Sequence, residues 1–165
     1  MDWDYHEIRL EGKLSELIDC IWWENYSDFH PNNNQHLLIP DNSIELIFTD
    51  TLIERFFQLS EKVKSRKSQL AGLRTAPQIC KVIKSPVIGV RFRPKTFYRL
   101  CKTELSQTIN DCLNPIECFG QSVLNLEKEI FKAANQQKRT DLIQSFLKTS
   151  CLPKATLSMS CLKKW

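Results

Sequence analysis

"GVRFRPKTF", residues 89–97, is the stretch on which the reading of this chain turns. Val90 and Phe92 alternate with Arg91 and Arg93, the period of two expected of a strand with one apolar and one polar face. Then a proline stops the pattern. Pro94 has no backbone N–H, so it suits the first position of a helix, where that donor would be unpaired anyway. The stretch predicts a strand, a corner, and a helix carrying Phe97, Leu100 and Cys101 on one face. Two arginines two residues apart admit three uses: an ion pair across a sheet, a contact inside a ligand pocket, or a grip on phosphate.

Upstream lie more short apolar runs bounded by turn residues: "HLLIP" (36–40), "SIELIFTD" (43–50), "SQLAGLRT" (68–75), "QICKVIK" (78–84) and "VIGVRFR" (87–93). Pro77 and Pro86 fall between runs, where a proline breaks no ladder bond. The close spacing predicts an antiparallel meander rather than βαβ units. Pro40-Asp41-Asn42 predicts a hairpin or a sharp corner. Residues 51–68 fit either a helix or a pair of strands, ending in a charged loop at 64–67. Before them, Leu14, Leu17, Ile18 and Ile21 fall at i, i+3, i+4 and i+7, which predicts a helix over 13–21.

Downstream, "NPIECFG" (114–120) reads as a loop or short turn. Residues 121–134 place Val123, Leu126, Ile130 and Phe131 on one stripe of a helix. A last helix is expected over 141–149, with Thr140 as its N-cap. The predicted fold class is α+β: a small antiparallel β-barrel or sheet, cupin-like, with flanking helices.

The strand faces carry the candidate site. Ile88, Val90 and Phe92 would face a core, leaving Gly89, Arg91 and Arg93 on the other side. Along 43–48, Ile44, Leu46 and Phe48 form one face and Ser43, Glu45 and Ile47 the other. If the two strands share a sheet, Glu45 is a natural partner for Arg91 or Arg93. The alternative places either arginine in a ligand pocket. Trp22 and Trp23 divide in the same way, between core or interface anchors and pocket walls.

Bulk properties narrow the rest. A chain of 165 residues suits one domain with a real core. With 42% hydrophobic and 25% charged residues, nothing forces disorder or a fibrous class. No run approaches the roughly 20 apolar residues of a membrane span. The start, "MDWDYHEIRL", is acidic and broken by charge, unlike a signal peptide, so a cytoplasmic protein is expected. The cysteines at 20, 80, 101, 112, 118, 151 and 161 show no Cys-x-x-Cys spacing and read as small buried thiols. His6, His30 and His36 are scattered, so no metal site is expected. Six basic residues (Lys138, Arg139, Lys148, Lys154, Lys163 and Lys164) against Asp141 leave a basic tail and a nearly neutral body. Such a body is not expected to hold nucleic acid by charge. No Gly-rich phosphate loop, nucleophile elbow or His-Glu-x-x-His motif is present, so neither an enzyme nor a cofactor is expected.

Taken in order, "IPDNSIELIF" (39–48), "LAGLR" (70–74) and "GVRFRP" (89–94) resemble the N-terminal domain of one branch of AraC-type transcriptional regulators. "LIDCIWW" and "ELSQTINDCLNPIECFG" sit where that domain has its Trp-bearing and Leu-rich segments, so the resemblance spans roughly residues 10–150. Asn42 and Ser43 replace the usual glycine and its neighbour, an exchange that Asn tolerates because it accepts the left-handed region. Lys95-Thr96 replaces a Gly-Gly pair. The resemblance implies a sensor and dimerisation domain over residues 1–150, taking a small-molecule effector and forming a homodimer. Trp22, Trp23, Glu45, Arg91 and Arg93 are its candidate ligand-binding residues. In that family DNA is read by two helix-turn-helix motifs. Residues 151–165, "CLPKATLSMSCLKKW", are too few to hold them and would be a basic tail or linker toward them. A ligand-binding or interaction domain outside transcription is the rival expectation.

Overall fold

A computed structural model describes residues 4–25, 35–57, 61–82, 86–96 and 104–152. The strands are β1 (Tyr5–Ile8), β2 (Ile18–Glu24), β3 (Gln35–Leu38), β4 (Ile44–Phe57), β5 (Glu61–Ala71), β6 (Gln78–Val82), β7 (Val87–Phe92) and β8 (Cys112–Leu113). Three helices follow: α1 (Pro115–Phe119), α2 (Ser122–Lys132) and α3 (Gln136–Cys151). Short 3₁₀ turns occupy Gly12–Glu16, Pro94–Thr96 and Leu105–Thr108.

All strand pairs are antiparallel, in the order β1-β2-β7-β4-β5-β8. The fold is α+β. β4 is long enough to serve two neighbours on one side: residues 44–49 pair with β7, and 53–57 pair with β6, which in turn carries β3. No pairing among the described residues closes the sheet, so of the two predicted forms it is the open sheet and not the barrel. Nor is it a meander, because β2 and β4, far apart in sequence, flank β7.

One face of the sheet packs on the helices. Ile44, Leu46 and Phe48 of β4 and Ile88, Val90 and Phe92 of β7 are buried with Val123, Leu126 and Ile130 of α2 and with Ile143 and Leu147 of α3. The expected faces of β4 and β7 are therefore the observed ones. Helix starts follow from capping chemistry. Asn114 and Glu117 form a reciprocal capping box at α1, with Pro115 at its first turn. Asn135 accepts from the Lys138 N–H at 2.9 Å and starts α3. The expected cap Thr140 is instead a buried residue inside α3, donating to the Gln136 carbonyl at 3.0 Å. "NPIECFG" is accordingly a short helix, not a loop.

One further expectation changes and two are narrowed. The predicted helix over 13–21 is a 3₁₀ turn followed by β2. A register shift between Ile18 and Cys20 slips the strand by one residue, so Ile18 and Ile21 share the core face despite standing three apart. That bulge imitates helical spacing. Residues 51–57 and 61–68 belong to strands, the second of the two expected forms, and Glu61–Ala71 runs as a continuous strand through the expected charged loop. Pro40-Asp41-Asn42 turns a corner and not a hairpin, since β3 pairs with β6 and β4 with β5 and β7. Asn42 does not need left-handed backbone either; among described non-glycine residues that conformation belongs to Asn110, with φ 57°. Pro94 does begin a helical turn. Phe97, Leu100 and Cys101, expected on the helix beyond it, lie outside the described residues, as does the tail beyond Leu152. No helix among the described residues is long and apolar enough to cross a membrane.

Cys20, Cys80, Cys112 and Cys151 are buried thiols, as their small apolar character suggests. Burial pushes Cys20 up to about 11, the nearby Arg91 opposing it, and Cys151 up to about 12. Neither is a ready thiolate at neutral pH. Cys118 departs from the thiol expectation: it is disulfide-bonded.

Candidate functional site

The second face of the sheet is buried without being purely apolar. Cys20 and Trp22 of β2, Ile47 of β4, Ala71 of β5, Val87 of β7 and Cys112 of β8 form its core, which Cys80 and Leu38 reach from β6 and β3. The same strands bury Glu24, Glu45, Thr49 and Gln69 on this face. It is the inner, polar face of the fold.

Glu45 organises that face. Its side chain is 8% exposed and sits opposite Arg91 in register. Arg91 Nε donates to Glu45 Oε1 at 3.0 Å, and Arg74 Nη1 lies 4.0 Å from Glu45 Oε2. Arg74, 7% exposed, also donates to Asp41 and to the Ile39 carbonyl, the latter at 3.3 Å. A backbone bridge between Asp41 and Arg74 fixes their approach. Asp41 takes two further bonds from Ser43, from its N–H at 3.1 Å and its hydroxyl at 2.9 Å. Burial works against the charge on Arg91, but attraction to Glu45 and the hydrogen bond it donates to that carboxylate outweigh it, so Arg91 stays charged far above neutral pH.

Arg93 is held separately. Its Nε donates to the Ser15 carbonyl at 2.9 Å, and one terminal nitrogen stands 3.6 Å from Asp19. Its backbone N–H donates to the Leu17 carbonyl at 2.9 Å, and Thr96 closes the corner by donating its hydroxyl to the carbonyls of Leu17 and Arg93. An open groove of about 720 Å³ runs along this corner, lined by Asp19, Asp41, Ser43, Arg91, Arg93 and Pro94 among others.

Trp22 faces inward opposite Gly89. A Cβ at Gly89 would overlap the indole, so only glycine lets the ring lie against the β7 backbone. Tyr5 of β1 stacks on the outer side, with centroids 6.1 Å apart. Burial pushes Tyr5 up to about 12, Arg91 opposing it. The Trp22 indole N–H is buried and has no hydrogen-bond partner among the described residues. Gly89→Ala is expected to cost about 1–3 kcal/mol through overpacking, with part restored when Trp22 is also trimmed to Leu. Thermal midpoints of the two variants check this.

Of the five residues named from sequence, Trp22, Glu45 and Arg91 share the inner face, and Arg93 continues it into the groove. Trp23 does not join them. It points to the helix side, partly buried against that core and stacked on His6 at 5.3 Å. Sequence reasoning missed Asp41 and Arg74, although both lie within quoted motifs. Their pairing depends on a bridge spanning more than thirty positions, which no local pattern displays.

The molecule is thus an α+β domain whose open antiparallel sheet buries helices on one face and a charged, aromatic-lined surface on the other. By sequence it belongs to the family described as a domain of unknown function, DUF6597, whose model matches residues 6–114. That span runs from β1 to the cap of α1, so the helices that complete the core follow the matched region. No curated protein and no solved structure matches the chain.

Proposed function

We propose that this chain is the effector-binding and dimerisation domain of a transcriptional regulator of the AraC type, taking a small molecule against the inner face of its sheet. The observation that carries the reading is the convergence of the three motifs of the resemblance. "IPDNSIELIF", "LAGLR" and "GVRFRP" contribute Asp41, Glu45, Arg74 and Arg91 to a single ion-pair network. The inner face supports ligand binding. Leaving a buried donor unsatisfied costs about 1–3 kcal/mol, and a ligand acceptor meeting the Trp22 N–H would recover it. In this reading the chain binds rather than catalyses, and DNA contact belongs to helix-turn-helix motifs outside residues 1–165.

A protein-interaction domain unrelated to transcription is favoured by one feature: Leu37 on β3 and Ile39 just beyond it are 68% and 67% exposed.

Two measurements test the proposal. Deleting the gene should change transcription of a defined gene set, and restoring it with Arg91→Ala should not rescue an effector-dependent response. An unchanged transcript profile, with small-molecule binding retained by the purified chain, would refute the regulator and leave the ligand-binding domain. The purified chain should also show no sequence-specific DNA affinity, and whatever weak association occurs should vanish as salt rises. Tight, sequence-dependent binding to a promoter fragment at physiological salt would contradict it.

A further inference from the structure

We propose that the groove at the end of β7 is an oxyanion site, in which Arg91 and Arg93 together receive the oxygens of a carboxylate or phosphate group on a small molecule. The inference rests on the effector-binding reading and names the ligand's chemistry.

Both arginines of the groove keep hydrogen-bond donors in reserve. Each acid there already faces a cation: Asp19 faces Arg93, Asp41 takes Arg74 and both Ser43 donors, and Glu45 takes Arg91 with Arg74 near. The donors are not used up. A guanidinium offers five N–H groups. Arg91 spends its Nε on Glu45, and no other hydrogen bond from it is made to the described residues. Arg93 spends its Nε on Ser15, and its terminal contact with Asp19, at 3.6 Å, is longer than a hydrogen bond. Their side chains are 33% and 42% exposed, so the unspent terminal N–H groups are reachable from solvent. A group that meets these two forks is held by its oxygens.

Spacing selects a group with two oxygens. Residues two apart on extended backbone point the same way, with Cα atoms roughly 6–7 Å apart. A carboxylate or phosphate fits between two such forks and can be gripped by both. Glu45 acts here as a positioning residue: it holds Arg91 by Nε and leaves the terminal edge outward. Asp19 acts as a competitor. Its loose, half-exposed pairing with Arg93 is cheaply exchanged for a ligand oxyanion.

The test is an NMR titration of the isotope-labelled full chain, following arginine Nε–H resonances. The probes are inorganic phosphate and, separately, propionate, with chloride at matched ionic strength as control. Saturable shifts at Arg91 and Arg93 are expected with at least one probe and not with chloride. Saturation by phosphate alone assigns a phosphorylated ligand, and saturation by propionate alone assigns an organic acid. Arg93→Gln should weaken binding at least tenfold. Asp19→Asn should tighten it several-fold, because it releases Arg93, and it keeps the test open should the arginine variant not fold. No saturation with either probe, an equal response to chloride, or weaker binding in Asp19→Asn would overturn the oxyanion site. A neutral small molecule that still shifted the Trp22 indole N–H would leave the effector-binding reading intact.

Discussion

Phe92→Ala should lower the stability of the domain by about 3–5 kcal/mol. Phe92 is 1% exposed at the end of β7, on the face that meets the helices. Its ring stacks on Phe119 of α1 with centroids 6.1 Å apart, and Phe119 in turn meets Phe146 of α3 at 5.7 Å. Truncation removes apolar contact from sheet and helix together and leaves a cavity that a β-strand backbone cannot collapse to fill. Domains of this size have about 5–15 kcal/mol in total, so the loss is a large fraction. Denaturant midpoint and soluble yield report it. A variant as stable as the parent would mean that the apolar face of β7 is not the core face.

Glu45→Ala should cost a comparable amount, about 3–5 kcal/mol, for an electrostatic reason. Removing one partner of a buried pair leaves the other charge desolvated and uncompensated. Here two cations depend on the one carboxylate. Arg74 is nearly enclosed and would keep Asp41, whereas Arg91 would lose its sole hydrogen-bond acceptor among the described residues but can turn toward water. The expected value therefore lies toward the lower end of the range. Glu45→Gln, which keeps the shape and an acceptor oxygen, should cost less. In a double-mutant cycle, Glu45→Ala and Arg91→Ala should couple by about 0.5–3 kcal/mol. Additive effects would show that the pair does not stabilise the sheet.

The strands that could be read from sequence were those whose alternation is complete within six residues. β4 and β7 carry Ile-Leu-Phe and Ile-Val-Phe on alternate positions, so both faces followed from period alone, whereas Glu45 was open to Arg91 or Arg93 and the register selects Arg91. α2 was legible for the matching reason at period 3.6. Where local pattern and tertiary structure diverge, the pattern misled. The bulge at Ile18–Cys20 gave β2 a helix-like spacing, and only its pairing to β7 reveals the slip. The partner of β3 depends on chain returning from position 78, which nothing at 35–38 encodes. In the site, charges could be paired when they lay on strands with clear faces. Arg74 lies just past the end of β5, in an isolated bridge to Asp41, and so had no face to be assigned to. Trp22 and Trp23 were indistinguishable by sequence; the pleat sends them to opposite sides of the sheet.

Reception of a small molecule on the inner face of the sheet is what the proposed function requires. It is tested most directly by amide and indole chemical shifts of the labelled chain, recorded against a collection of small acids and neutral metabolites. At least one compound is expected to give saturable shifts at the Trp22 indole N–H, Gly89, Glu45 and Arg91. Shifts confined to the helix-packed face, or no saturable response to any compound, would contradict it.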